Sequence, residues 1–190
     1  MNFTHDWHTR HGHNWVRWLA KFVNQPAHAL EIGCYEGCAT TWMFQNIFTH
    51  PESRVTVVDT FAGSEEHRGW DFTCVRAHFD ENVEPWKDRL TVCVGYSEKV
   101  LRTLSGPFDF VYIDGSHQAA DVLTDVCLAW PLLKDGGVLI FDDYDWHIFP
   151  DPAHTPQPGV DAFLAAFTGR YDLVAKEYQV VVTKKPFDAA

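Results

Sequence analysis

The sequence predicts an α/β fold: an α/β/α sandwich around a doubly wound, mostly parallel sheet of seven strands, with an antiparallel strand at one edge. Two observations predict it. Short apolar runs alternate with segments of helical length, and each of the first five runs stops at a glycine or an acid. The last two runs are so close together that they can only pair antiparallel. A chain of 190 residues has room for one large core, so we expect a single domain over 1–190.

The five apolar runs are rich in β-branched and aromatic residues, which is typical of buried parallel strands. They cover 29–32, 54–58, 90–94, 108–113 and 138–141. Helices are predicted between them and after them, at 38–48, 71–83, 98–104, 118–133 and 160–167. The final strand pair is predicted at 171–175 and 178–183, and residues 1–25 are expected to form a helical lead-in.

Composition excludes several classes of function. With 26 acidic and 15 basic residues the net charge is −11, which disfavours binding to nucleic-acid phosphates. No apolar run approaches the roughly 18 residues of a transmembrane helix, and the N-terminal residues lack the apolar core of a secretory signal. The five cysteines form no CxxC pair, which indicates reduced thiols. We therefore expect a cytoplasmic protein without membrane or nucleic-acid partners.

The first strand leads into a segment with two glycines, Gly33 and Gly37. Glycines at this point allow a tight turn into a helix and a close approach of the backbone to a ligand. A plain strand-to-helix turn would need the same residues. Asp59 ends the second strand, where an acid can accept hydrogen bonds from both hydroxyls of a ribose. A helix N-cap is its alternative role.

Three carboxylates follow two later strands. Asp114 ends the fourth strand, and Asp142 and Asp143 end the fifth. If these strands are neighbours, their carboxylates meet at one edge of the sheet and repel one another unless protons or a cation neutralise them. Oxygen ligands suit Mg²⁺ or a similar hard cation. The alternative is that Asp142 and Asp143 cap a turn.

His117 follows Asp114 by three residues and stands at the start of the helix predicted at 118–133. The positive end of a helix disfavours imidazolium, so we expect a neutral imidazole that can take a proton beside the metal. The alternative is an ordinary surface histidine, since the chain has 11 histidines.

Three segments together resemble the class I S-adenosylmethionine-dependent methyltransferases: LEIGCYEG, VTVVDTF and FVYIDGSH…VLTDVCLAWPLLKDGGVLIFDDY. Within that class the chain is most similar to the metal-dependent O-methyltransferases of the catechol and macrocin (sugar) types and their small uncharacterised relatives. The similarity runs from about residue 28 to 183. It implies a Rossmann-like methyltransferase fold and an enzyme that methylates a hydroxyl of a small molecule.

The resemblance also implies roles for single residues. Glu31 and Gly33 would hold the amino-acid end of the cofactor, Asp59 its ribose, and Gly95 with Ser97 its adenine. The full set of expected cofactor contacts is Glu31, Gly33, Cys34, Tyr35, Gly37, Asp59, Thr60, Gly95, Ser97 and Asp114. The expected ligands of a divalent cation, with Mg²⁺ as first choice, are Asp114, Asp142 and Asp143.

The resemblance places the general base at His117, where catechol-type members have a lysine. Macrocin-type members have an aspartate at the position of Ser116, and this chain does not. We expect Asp114 and His117 to be the catalytic residues. The cation would bind two neighbouring oxygens of the acceptor and lower the pKa of one hydroxyl.

Selection of the acceptor is expected in three irregular stretches, 4–18, 61–70 and 144–158. The last contains the predicted substrate contacts Trp146, His147 and Phe149. The first carries histidines spaced as in His5-x-x-His8-x-x-His11, for which an aromatic-packed lead-in is the favoured interpretation and a metal site the alternative. Because the chain is short, we expect either a shallow pocket or a pocket that a second subunit completes in a homodimer.

Two other classes of function stay open from the residues. The same fold could bind S-adenosylmethionine without catalysis, which the intact acid trio argues against. The sheet could hold NAD instead, but the third glycine of the dinucleotide fingerprint is missing.

Overall fold

The computed structural model describes residues 1–186 and contains a single seven-stranded sheet. The last four residues of the predicted domain, 187–190, lie outside the described residues. The strands are β1 (His28–Ile32), β2 (Arg54–Asp59), β3 (Leu90–Val94), β4 (Phe108–Ile113), β5 (Leu133–Phe141), β6 (Tyr171–Lys176) and β7 (Val180–Lys184). Their order is β3-β2-β1-β4-β5-β7-β6.

Strands β1 to β5 are parallel, and β7 runs antiparallel to both of its neighbours, β5 and β6. The predicted fold class is therefore confirmed. The reversed strand is β7, which lies between β5 and the edge strand β6. The short connection after β6 turns the chain back, so β7 pairs with β6 on one side and with β5 on the other.

Helices cover both faces of the sheet. They are α1 (Thr9–Trp18), α2 (Cys38–Asn46), α3 (Val75–Val83), α4 (Ser97–Val100), α5 (Ala119–Ala129) and α6 (Gln157–Ala166). One buried cluster joins the sheet to α1, α2 and α3, and a second joins it to α5 and α6. Ala29 faces the first cluster and Leu30 the second, so β1 is apolar on both sides, as expected for a central parallel strand. Among residues 1–186 no helix is long and apolar enough to cross a membrane.

The register of the parallel strands brings the ends of four strands to one edge of the sheet. Ile32 pairs with Val58 on one side and with Ile113 on the other, and Ile113 pairs with Phe141. The residues that follow these positions are Gly33, Asp59, Asp114 and Asp142. The carboxyl edge therefore assembles the residues to which the sequence analysis assigned chemistry, as expected for a doubly wound sheet.

Candidate active site

A cavity of about 710 Å³ opens at this carboxyl edge. That volume lies within the range of small-molecule sites, roughly 300–1,000 Å³. Its wall includes His117, the three aspartates Asp114, Asp142 and Asp143, and every predicted cofactor contact except Gly37. Gly37 instead lies beneath the wall, directly before α2, where a Cβ would come within 3.0 Å of the Phe79 ring.

Gly33 occupies the tightest point of the turn after β1. Its φ is +84°, and a Cβ at this position would lie 1.9 Å from the carbonyl oxygen of Asp114. No side chain fits between these two backbones, so the glycine is required by the contact between the ends of β1 and β4. The close approach predicted for a ligand is thus also a close approach to the chain's own backbone.

Asp59 organises this turn. Its Oδ2 accepts hydrogen bonds from the backbone N–H groups of Cys34 (2.7 Å) and Tyr35 (2.9 Å), and its Oδ1 accepts one from the N–H of Phe61 (2.7 Å). An ionised carboxylate has about four acceptor positions, so these bonds leave capacity for a ligand hydroxyl. The helix N-cap alternative does not describe this geometry, because no helix begins at Asp59.

Glu31 lies on the cavity floor and is fully buried. Its Oε2 accepts a hydrogen bond from the Thr40 hydroxyl at 2.6 Å, whereas Oε1 has no hydrogen-bond partner among the described residues. Burial raises the pKa of Glu31 to about 8. A buried, unpaired carboxyl oxygen is costly unless a ligand satisfies it, and a ligand ammonium would both pair with it and favour its ionised form.

Asp125 lines the same cavity beside Ser97, and its side chain is also buried. Removal from water raises the pKa of Asp125 to about 7, although a hydrogen bond with Ser97 acts in the opposite direction. Sequence analysis missed this residue, because an acid inside the α5 stripe looks like any solvent-facing helical position.

The carboxylates that follow β4 and β5 meet as predicted. The hydroxyl of Tyr112 lies 2.9 Å from Asp114 Oδ2 and also contacts Asp142 Oδ2. Gln179 donates to the same Asp142 oxygen at 2.9 Å, and the N–H of Asp143 donates to Asp142 Oδ1 at 2.7 Å. Of the three aspartates Asp114, Asp142 and Asp143, Asp142 thus accepts the most hydrogen bonds from the protein itself.

The close spacing of these three acids shifts their pKa values. Removal from water and repulsion from Asp142 and Asp143 raise the pKa of Asp114 well above its usual range. The same two causes, with Asp143 as the repelling group, raise the pKa of Asp142 to about 6. Desolvation acts in this direction on Asp143 too, but the hydrogen bond from His117 holds its pKa below the usual value. Neutralising this cluster needs protons or a cation.

His117 lies between two carboxylates. Its Nε2 is 2.8 Å from Asp143 Oδ2, and its Nδ1 is 3.0 Å from Glu66 Oε1. Burial lowers the pKa of this imidazole, but the two carboxylates outweigh it and raise the pKa to about 10. In the absence of a cation this raised pKa favours the protonated imidazole, and the neutral imidazole expected beside a metal stays a prediction. The start of α5 is a weaker influence than two charges in direct contact.

The ligand atoms of Asp114, His117 and Asp143 all lie within 4.8 Å of one another, a spacing that could hold a metal ion. Two carboxylates and an imidazole are a donor set that fits a divalent cation. The predicted set of Asp114, Asp142 and Asp143 shares two of these residues and stays a prediction.

The loop after β5 contributes one of its three predicted contacts to the cavity wall. Trp146 lines the cavity, and its ring centroid lies 4.2 Å from that of His117. Phe149 packs within the loop against Trp146 and His154, and His147 is exposed. Neither lines the cavity.

Glu66 and Tyr178 are further site residues that sequence analysis missed. Glu66 belongs to a 3₁₀ turn at Glu65–His67, inside the stretch expected to cover the cofactor. Tyr178 lies in the turn between β6 and β7 and donates a hydrogen bond to Asp143 Oδ1. No local pattern marks either residue, because both reach the site through long-range packing.

The N-terminal histidines lie among aromatic rings. His8 is buried, with ring centroids 4.5 Å from Trp15 and 5.0 Å from Trp42, and His11 stacks on Tyr178 at 4.9 Å. His5 stacks on the ring of Trp7, also at 4.9 Å. The three histidines pack against different rings, which agrees with the aromatic-packed interpretation of this stretch.

The chain belongs to a family of methyltransferase domains, whose model matches residues 30–144. This membership confirms the resemblance found in the sequence. The matched region runs from β1 to the residue after Asp143, so it includes the glycine turn and the acid cluster.

A curated relative is the O-methyltransferase hkm8 of Aspergillus hancockii, which is 28% identical over 128 residues. The match covers 66% of this chain and 47% of the fungal protein, so the chain spans about half the length of that relative.

Two solved structures share the fold. An O-methyltransferase from Bacillus cereus in complex with SAH (S-adenosylhomocysteine) superposes with a TM-score of 0.68 at 21% identity, over 96% of this chain and 84% of that one. The MycE methyltransferase of the mycinamycin biosynthetic pathway, in complex with Mg, SAH and mycinamycin VI, gives a TM-score of 0.64 at 22% identity. That match covers 97% of this chain and 51% of MycE.

Proposed function

We propose that this protein is an enzyme that transfers a methyl group from S-adenosylmethionine to a hydroxyl of a small molecule. The acceptor carries neighbouring hydroxyls, as a sugar or a catechol does. A divalent cation assists the reaction, and Mg²⁺ is the first choice. The observation that carries the proposal is the group of Asp114, His117 and Asp143, whose ligand atoms lie within 4.8 Å of one another in the cavity that also contains the glycine turn. Family membership and the SAH-bound and Mg-bound structural neighbours support it.

The cavity offers the contacts that S-adenosylmethionine needs. The unpaired Oε1 of Glu31 suits the ammonium of its amino-acid part, next to the backbone of the turn at Gly33. Asp59 has acceptor capacity for ribose hydroxyls, and Gly95 and Ser97 line the wall expected to face adenine. When bound, this cofactor supplies a sulfonium methyl group as the electrophile.

A divalent cation would be held by Asp114 and Asp143, with Asp142 as the further ligand, which leaves His117 free to act as the base. It would supply Lewis acidity that lowers the pKa of an acceptor hydroxyl. Asp114 has most to gain from such a partner, since its raised pKa reflects removal from water and repulsion by two further carboxylates.

His117 is proposed to accept the proton of the reacting hydroxyl, which requires its neutral form. Asp143 and Glu66 together hold it protonated in the protein alone. If Asp143 instead serves as a metal ligand, Glu66 remains on Nδ1 to orient the ring, and Nε2 is the atom left to accept the proton. Trp146 packs against this ring, with centroids 4.2 Å apart.

Calorimetric titration of S-adenosylhomocysteine into the protein, with Mg²⁺ and again with a chelator, tests cofactor binding. We expect binding in both buffers, and none in either would overturn the proposal. Incubation with S-adenosylmethionine and a panel of catechols and sugars, followed by mass spectrometry, then tests turnover. Methylation that requires the metal supports the enzyme; cofactor binding without any turnover would favour a non-catalytic module. A cytoplasmic location and a homodimer stay predictions from the sequence.

A further inference from the structure

Six ring side chains from three separate segments meet at the cavity wall. We call them the aromatic cluster: His5, Trp7, Tyr35, His67, Trp70 and Phe72. Trp7 lies with its ring centroid 5.0 Å from Tyr35 and 6.1 Å from Trp70, and His67 lies 5.0 Å from Trp70. Trp7 and Trp70 are nevertheless 42% and 46% exposed. Large aromatic faces left open beside a cavity are typical of a binding surface.

The chain just before Trp7 is anchored by hydrogen bonds to the buried side chains of Glu36 and Asn82. Glu36, which is 1% exposed, accepts from the backbone N–H of Thr4 at 2.5 Å and from its hydroxyl at 2.8 Å. Asn82 exchanges two hydrogen bonds with the backbone of Asn2, at 2.5 and 3.0 Å. These bonds anchor Asn2 and Thr4 beside the glycine turn, and Trp7 follows Thr4 by three residues and packs against Tyr35 of that turn.

The cluster lies close to the proposed reaction centre. His67 directly follows Glu66, whose Oε1 is 3.0 Å from the ring of His117. Tyr35 belongs to the turn that Asp59 organises, and its ring stacks on that of His67 at 6.4 Å. An acceptor with its hydroxyls near His117 therefore extends toward the exposed faces of Trp7 and Trp70.

The charge of the cavity selects among acceptors. Of the described residues in its wall, ten are acidic, and Arg10 is the single lysine or arginine. Arg10 lies over the ring of Tyr178, at 5.7 Å from its centroid. Apart from Asp114, Asp142 and Asp143, which the proposed cation would bind, seven acidic residues remain in this wall. A carboxylate or phosphate on the acceptor is repelled by this field, whereas a cation is concentrated by it.

We propose that the aromatic cluster binds the part of the acceptor remote from its reacting hydroxyls, and that this part carries a protonated amine. The inference rests on the proposed methyl transfer to a diol. An ammonium over the faces of Trp7 and Trp70 gains cation–π attraction, which is strongest for indole. Burial lowers the pKa of His67, so this ring of the cluster stays neutral and does not oppose the cation.

Three probes with one aromatic ring test the charge preference: phenethylamine, 2-phenylethanol and phenylacetate. They differ mainly in charge, and none contains a diol or a methyl donor, so their binding does not depend on catalysis. We expect tryptophan fluorescence titrations at pH 7 to show phenethylamine binding about tenfold more tightly than phenylacetate, with 2-phenylethanol between them. Equal or tighter binding of phenylacetate, or no binding of phenethylamine, would overturn the inference.

Variants locate the probe. Trp7→Ala and Trp70→Ala should weaken phenethylamine binding about three- to tenfold, and Trp70→Phe should retain most of it. Leu173→Ala, which truncates a 51% exposed side chain on β6 outside the cavity wall, is the matched control and should change nothing. Unchanged binding in both tryptophan variants would place the probe elsewhere and overturn the assignment.

Calorimetry with S-adenosylhomocysteine separates the two proposals. Binding of the amine without binding of S-adenosylhomocysteine would reject the proposed function and leave a cation site. Binding of S-adenosylhomocysteine without a preference for the amine would reject this inference alone.

Discussion

Glu66 Oε1 lies 3.0 Å from Nδ1 of His117, on the side of the ring opposite to Asp143. The two carboxylates come from different parts of the chain: Glu66 from the 3₁₀ turn after β2, and Asp143 from the end of β5. The Asp143 contact is a hydrogen bond, whereas the Glu66 contact is a close approach of two charged groups without hydrogen-bond geometry. Together they determine which nitrogen faces the acid cluster. Glu66 is therefore a positioning residue for the proposed base.

Glu66→Gln should lower kcat about tenfold while the Kd for S-adenosylhomocysteine stays unchanged, because the ring loses its orienting charge. Since Glu66 raises the pKa of His117, its removal should also move the acidic limb of the kcat/KM profile to lower pH. Glu65→Gln is the matched control, because Glu65 contacts His154 and Gln118 instead. An unchanged rate and profile in Glu66→Gln would contradict this role.

Asp114→Asn should abolish metal-stimulated turnover and leave the affinity for S-adenosylhomocysteine mostly intact. The amide keeps the size of the side chain but removes the negative charge that a hard cation needs. Methyl transfer is measured over a range of Mg²⁺ concentrations, with Asp88→Asn, an exposed position outside the cavity, as the control. Full activity of Asp114→Asn would eliminate this residue as a metal ligand.

Glu31 should make the metal-free, cofactor-free protein less stable as the pH rises from 4.5 to 8. Its pKa is about 8 in the folded state, against an ordinary value of 4.5. Below 4.5 both states hold the proton, and between the two values only the folded state does, so unfolding releases a proton and stability falls. At about 1.4 kcal/mol per pKa unit, the loss is on the order of 3–5 kcal/mol.

Urea unfolding of wild type and Glu31→Gln at pH 5, 6, 7 and 8 measures this contribution of Glu31 to the free energy of unfolding. The remaining acids are common to both proteins, so their effect cancels in the comparison. The variant should lose less stability over this range, and Glu81→Gln, at an exposed site, should behave like wild type. Parallel curves for wild type and Glu31→Gln would show that Glu31 ionises normally.

Gly33→Ala should lower thermal stability and S-adenosylhomocysteine affinity far more than Gly169→Ala does. Both glycines have nearly the same φ, +84° and +85°, so the strain of placing alanine there is similar, about 1–2 kcal/mol. Only at Gly33 does the new Cβ meet backbone, the Asp114 carbonyl oxygen at 1.9 Å. Thermal unfolding and S-adenosylhomocysteine titration should show a large loss in the first variant and a small one in the second. Equal effects would mean that the turn relaxes freely.

The strands could be predicted from the sequence because each is a short apolar run with a clear stop. Parallel strands that end level at one edge then bring Asp114 and Asp142 together without further information, as the pairing of Ile113 with Phe141 shows. The predicted substrate contacts were located less accurately. Trp146 reaches the cavity wall, but His147 and Phe149 do not, because loop conformation has no such periodic signal.

The sequence by itself determined the order of strands and helices, the glycine turn and the edge at which the acids collect. These features depend on local patterns of polarity and backbone freedom, which neighbouring residues encode. Only the tertiary structure decided that Glu66 approaches His117, that Trp7 lies beside Trp70, and that two carboxylates raise the pKa of the imidazole. The reason is physical: proton affinity and ring contacts depend on distance and on removal from water, and both are properties of residues far apart in the chain.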